Sequence, residues 1–374
     1  MRFLCTYSLS LLCFITQVFA QDGAIRCSPF IDTSDVRIGP AVKTWMRYLN
    51  SSPDSLQEHP LWTMKDRNER YSFDPARVWV FQSKEFMSAY PPLIIGAEEV
   101  HKNTVLIKTL FQGYDSLGTT LPIATYRVFA HVHDEQWQLE SVIETMTEEW
   151  NTKSIGGITF YMSPKHKYSS SIARRAVRFC DSLTALFDLP DIEEARYYVT
   201  TSRDELASIL GFDFYVSMPQ GLTYPEKDWV FTALDTEFHA HELVHLIFRS
   251  FSHTHPFIAE GLSTWLGGSL GQNLKALKQQ LALDYVRRPG DLTIEKVLEA
   301  GQKESLAYYT FGALICRQVF LLRGGSGLKK FLHDASMETR SLPHIIAEHL
   351  SIHIEEIDPF IRTALLDAHT LGSD

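Results

Sequence analysis

The stretch His241-Glu242-Leu243-Val244-His245 constrains the fold more than any other, because its three polar side chains can act together only on a helix. Residues four apart stack on one helical face, so His241 and His245 would turn ring nitrogens toward one point. Glu242 follows about 100° around the axis, beside that point. Two imidazoles and a carboxylate so arranged suit hydrolytic zinc chemistry: the histidines hold the ion and the carboxylate takes a proton from a water that the ion activates. With 15 His in 374 residues, chance alone yields H-E-x-x-H in roughly 4% of such chains, so the surroundings must decide.

They favour the metal. Residues 238–248 predict one continuous helix, with apolar Leu243, Val244, Leu246, Ile247 and Phe248 around the polar trio and no Gly or Pro inside. Left unpartnered on an apolar helix, the trio would cost several kcal/mol of desolvation, whereas one cation satisfies all three groups. A second apolar helix is expected over residues 257–266, with a single carboxylate, Glu260, near its start. Glu260 is the natural third ligand, since catalytic zinc commonly takes three protein ligands and keeps a fourth position open. Residues 249–256 are polar and contain a proline, enough to fold the second helix back on the first. A metzincin site would need Gly and His where Phe248 and Phe251 stand. His239, two residues before His241, points off the shared face. His253 and His255 fall in the connecting loop and read as solvated or rim histidines.

This pattern, H-E-L-V-H followed 15 residues after its last His by Glu260 in A-E-G-L-S-T-W-L, resembles the gluzincin branch of zinc metallopeptidases. It resembles especially the small secreted members often called the peptidase MA family, and the likeness runs from about residue 158 to 327. The interval to the third ligand is shorter than in the large thermolysin-like enzymes. The resemblance implies a zincin-like domain, one zinc ion on His241, His245 and Glu260, Glu242 as general base, and a peptide or protein substrate. It also implies a tyrosine oxyanion donor in the region of Tyr308 and Tyr309, of which Tyr309 is preferred. Two rivals remain beside it. One is a catalytically inactive binding protein containing zinc; the other is a zinc hydrolase acting on an ester or a non-peptide amide.

Residues 1–20 carry Arg2, then an apolar run too short to span a bilayer comfortably, and end in Val18-Phe19-Ala20. They read as a signal peptide cleaved before Gln21, which predicts an exported chain, periplasmic or extracellular. After cleavage no further segment is expected to be long and apolar enough for stable membrane insertion. Cys27, Cys180 and Cys316 then remain, allowing one disulfide at most. A formal charge of −10 with no Lys or Arg run excludes the usual nucleic-acid and anionic-membrane surfaces.

The length predicts two domains, divided near residue 155: residues 21–154 and residues 155–374. In the first, an amphipathic helix at 41–49 precedes β-rich runs at 77–82, 105–111, 123–133 and 136–142, the last two joined at Asp134-Glu135 as a hairpin. One helix on a curved antiparallel sheet resembles the NTF2-like folds, with a scaffold or cover as its expected role. From residue 158 strands at 158–162 and 196–200 alternate with helices at 172–187 and 203–210. Another strand at 228–233 precedes the motif helix and is expected to offer an exposed edge to an extended peptide. Beyond Gly267-Gly268 helices are expected to the end, including 307–322 and 354–366, with Gly324-Gly325-Ser326-Gly327 as a turn between helices. The fold class is therefore α+β, with a mostly helical C-terminal part.

Overall fold

The structure is a computed structural model that describes residues 25–51, 59–63 and 88–366, apart from 116, 289, 291 and 338. The expected signal peptide and the expected strand at 77–82 lie outside the described residues. The chain is mixed α and β and divides into two compact units, residues 1–148 with 204–218 and residues 149–203 with 219–374. The division falls a few residues before the expected position near 155. The chain also returns once to the first unit, an excursion that the expected boundaries at 21–154 and 155–374 lack.

The first unit holds β1 (Arg26–Cys27), α1 (Ile38–Leu49), β2 (Pro92–His101), β3 (Thr104–Tyr114), β4 (Thr120–His133), β5 (Gln136–Glu140) and a short α2 (Ile143–Thr147). Along β3 burial alternates, with Val105, Ile107, Thr109 and Phe111 inside, as expected of a strand with one face on a core. The turn between β4 and β5 has Asp134 and Glu135 at φ 48° and 63°, the left-handed pair that a tight hairpin requires. Trp45 of α1 donates its indole N–H to Thr109 Oγ1 at 2.7 Å and stacks on Tyr126, fastening the helix to the sheet. Antiparallel pairing runs from β2 to β5, while β1 joins β2 in parallel, so the sheet is mixed.

The second unit begins with β6 (Asn151–Ile155), β7 (Ile158–Met162), α3 (Ser170–Phe187) and β8 (Ala195–Val199). Residues 204–218 then carry most of α4 (Arg203–Ile209) and all of β9 (Phe212–Tyr215) back to the first unit. There β9 pairs antiparallel with β4, and Arg127 reaches Asp213 Oδ1 at 2.9 Å and the Ser208 carbonyl at 2.9 Å.

The second unit resumes with β10 (Gly221–Tyr224) and β11 (Trp229–Thr232), and its sheet order is β10-β11-β8-β7-β6. Strands β7, β8 and β11 are parallel; β10 and β6 are antiparallel strands at the two edges. This corrects the expectation that residues 228–233 form an exposed edge. All four residues of β11 are buried between β10 and β8, as the unbroken apolar run Trp229-Val230-Phe231 should be. Among the described residues, β10 is the edge strand on that side of the sheet.

Seven α-helices follow among the described residues: α5 (Ala240–Ile247), α6 (Pro256–Gly267), α7 (Leu274–Arg287), α8 (Ile294–Ala300), α9 (Ser305–Asp334), α10 (Leu342–Leu350) and α11 (Ile357–Leu366). The Gly324 region is a kink rather than a separate turn, since only Gly324 leaves helical geometry, at φ 65°. Against expectation, α9 is long and apolar enough to cross a membrane by length and composition, but more than half of its apolar window is buried in the fold. Cys27, Cys180 and Cys316 are all free thiols, and burial pushes Cys180 up to about 12.

Two glycine contacts set the helix spacing. A methyl on Gly261 of α6 would lie 2.3 Å from the Gly312 carbonyl carbon of α9, and one on Gly267 would lie 2.6 Å from the Ala240 carbonyl carbon at the start of α5. Backbones this close leave no room for a side chain at Gly261 or Gly267. Gly261→Ala is expected to destabilise the second unit by about 1–3 kcal/mol through overpacking, read as a lower urea midpoint; an unchanged midpoint would show that α6 and α9 can separate freely.

Candidate metal centre

Helix α5 begins at Ala240, with His239 at its N-cap, so His241 and His245 sit in its first and last turns on one face. Proline at the first position of α6 starts that helix cleanly, and the His255 ring caps it by accepting from Phe257 N–H at 3.2 Å. Glu260 follows one turn later. The result gathers three ligand atoms, from His241, His245 and Glu260, within 4.8 Å of one another. Glu260 Oε2 lies 2.9 Å from His241 Nε2 and 3.7 Å from His245 Nε2. His241 also presents Nδ1 to the Gly268 carbonyl at 2.8 Å, which fixes the ring and directs Nε2 toward Glu260.

The electrostatics favour a cation. Burial opposes charge on His241, yet the hydrogen bond and charge of Glu260 outweigh it and raise the imidazole to about 9. Burial likewise opposes charge on Glu260, and the two histidines overcome it, holding the carboxyl far below its ordinary range. Two imidazoles and one carboxylate are a donor set that zinc accepts, and the second nitrogen of His241 is already oriented by a carbonyl. The residues present therefore fit the ion.

Glu242 is buried and does not join the three. Its Oε2 accepts from Thr223 Oγ1 of β10 at 2.8 Å. Tyr309 stands beside His241, with ring centroids 6.3 Å apart. Burial first, then the charges of Glu260 and Glu242, push its phenol far above the ordinary value, so it stays a proton donor. Tyr308 instead packs edge-on against Phe257 at 5.1 Å in the core, and burial, helped by Glu260, pushes it up to about 12. Of the pair, Tyr309 is the one beside the histidines.

His239 turns to Thr232 Oγ1 at 3.2 Å, and burial lowers its pKa. His253 and His255 are exposed in the connection, as expected. A second group, Asp334, Glu348 and His349, also brings ligand-type atoms within 4.8 Å. Its acids already have partners: Lys330 Nζ and His349 Nε2 on Asp334 Oδ2, and Arg340 on Glu348. That cluster does not call for an added ion.

The segment feeding α5 is held by residues that spacing arguments miss. His166 places Nδ1 2.7 Å from Asp235 Oδ1 and Nε2 3.1 Å from Glu237 Oε1, and Glu237 also accepts from the Ser169 N–H that precedes α3. Tyr197 Oη accepts from the His239 N–H at 2.9 Å. Gly221, Thr223 and Gly268 were equally silent in the sequence. No family model matches the chain, and no curated protein matches it.

Proposed function

We propose that the chain is an exported zinc metallopeptidase of the gluzincin kind, with its zincin-like part in the second unit and an NTF2-like first unit. The observation that carries this reading is the convergence of His241, His245 and Glu260 with a buried carboxylate, Glu242, on the same helix. Zinc held by those three residues would supply the Lewis acidity that activates a water and polarises a peptide carbonyl. The chain's own residues supply the rest. Glu242 takes the proton of the attacking water and delivers it to the leaving amine. Tyr309, kept protonated, donates its hydroxyl hydrogen to the oxyanion that develops on the former carbonyl. His241 keeps its orientation through Gly268. The net charge of −10 argues against nucleic acid. Export rests on the leader-like residues 1–20.

The free edge of β10 lies next to Glu242, which suits an extended peptide that adds a strand there. Leu222→Pro, which removes the N–H that faces Phe231 in the β10–β11 ladder and so loosens the edge strand, is expected to raise KM on fluorescein-labelled casein about 5- to 20-fold, an effect of the order of one or two lost backbone hydrogen bonds, with zinc content unchanged. Unaltered kinetics would remove β10 from substrate binding.

A further inference from the structure

The edge strand does more than border the site, because two of its residues meet the side chain of Glu242. Gly221 and Thr223 are two apart on β10 and so share one face, the face toward α5. Thr223 Oγ1 lies 2.8 Å from Glu242 Oε2 and 3.0 Å from the Glu242 carbonyl, so its single hydroxyl hydrogen is shared between side chain and backbone of the same residue. At Gly221 a methyl would lie 2.4 Å from His239 Cε1 and 2.6 Å from both Oε1 and Cγ of Glu242, so the space this glycine leaves open is shared by those two side chains. One carboxylate oxygen is thus tied by a hydroxyl, and the other lies where any side chain at 221 would displace it. Glu242 is 7% exposed, so solvent offers little to replace either contact.

We infer that Thr223 is a positioning residue for Glu242, with Gly221 providing the room in which the carboxylate is held. The inference rests on the peptidase reading for its kinetic consequence, but the clamp itself is a property of the metal-free chain. A carboxylate free to swing would spend less time aligned with a water, and misplacement by about 1 Å can cost as much as 100-fold in rate. Thr223 touches no reacting atom in this account; it acts through Glu242.

The test uses the full chain as parent, Thr223→Val, Thr223→Ser, Glu242→Ala and the Thr223→Val/Glu242→Ala double variant. In metal-free protein, Thr223→Val is expected to lower the melting temperature of the parent by about 3–6 °C, the scale for losing one hydrogen bond to a charged group. It should lower that of Glu242→Ala by less than half as much, since only the contact with the residue-242 carbonyl then remains to be lost. In zinc-loaded protein with labelled casein, Thr223→Val should reduce kcat about 10- to 100-fold with KM within about twofold. Thr223→Ser, which keeps the hydroxyl, should stay within about threefold of the parent. Equal melting losses in both backgrounds, or Thr223→Ser as slow as Thr223→Val, would overturn the clamp. Melting coupling in a zinc-loaded chain that cuts nothing would support the clamp and defeat the peptidase reading instead.

Discussion

Glu242→Gln is expected to lower peptide turnover about 1,000- to 10,000-fold, the range for losing a positioned general base, while zinc content remains one ion per chain. The amide has nearly the shape of the carboxylate and can still accept from Thr223, which lies 2.8 Å away, so folding should be unaffected. What it lacks is the ability to take and return a proton. His241, His245 and Glu260 remain in place in this variant, so metal binding is left to its three ligands. The rival in which zinc is only structural expects Glu242→Gln to behave like the parent. Turnover within a few-fold of the parent would therefore remove Glu242 from the chemistry.

Losing a ligand should act in the opposite way, on the metal first. His245→Ala or Glu260→Ala is expected to reduce zinc affinity by more than the 10- to 100-fold that a supporting residue costs. The loss should appear as a melting temperature that no longer responds to a chelator. In the parent, zinc at about 1,000 times its dissociation constant would add roughly 4 kcal/mol of stability, so chelation should lower the melting temperature by several degrees. Glu260→Ala has a second consequence, because it removes the carboxylate that holds His241 at about 9. Equal chelator responses in parent and both variants would place the metal elsewhere.

Much of the site is written locally in the chain, and what was not depends on distant contacts. The motif helix, the second helix with Glu260, and the short connection between them follow from apolar periodicity and from Pro256, features within one window of sequence. The expectation for residues 228–233 chose the wrong strand as the edge. Trp229-Val230-Phe231-Thr232 is apolar without alternation, the mark of a strand covered on both faces, whereas the true edge, Gly221-Leu222-Thr223-Tyr224, is four residues long with a glycine and a following proline. Such a strand has no pattern strong enough to read. Thr223 shows its role only when β10 is folded against α5, 19 residues on.

The same reasoning covers the larger architecture. Helix α4 is legible from its own residues, but its membership in the first unit depends on β9 pairing with β4 and on Arg127 meeting Asp213, contacts about 90 residues apart in the chain. The close approach of Gly261 and Gly312, which sets the distance between α6 and α9, is equally non-local. The preference for Tyr309 over Tyr308 has its physical ground in the ring each packs against: His241 for one and Phe257 for the other.

The most direct test of the central claim is to incubate the purified chain, with its zinc content measured, with a diverse peptide library and to read new amino termini by mass spectrometry beside Glu242→Gln. The account predicts new termini from the parent, none above background from Glu242→Gln, and one zinc ion in each. A zinc-loaded parent that produces no new termini, or a Glu242→Gln chain that produces as many as the parent, would contradict it.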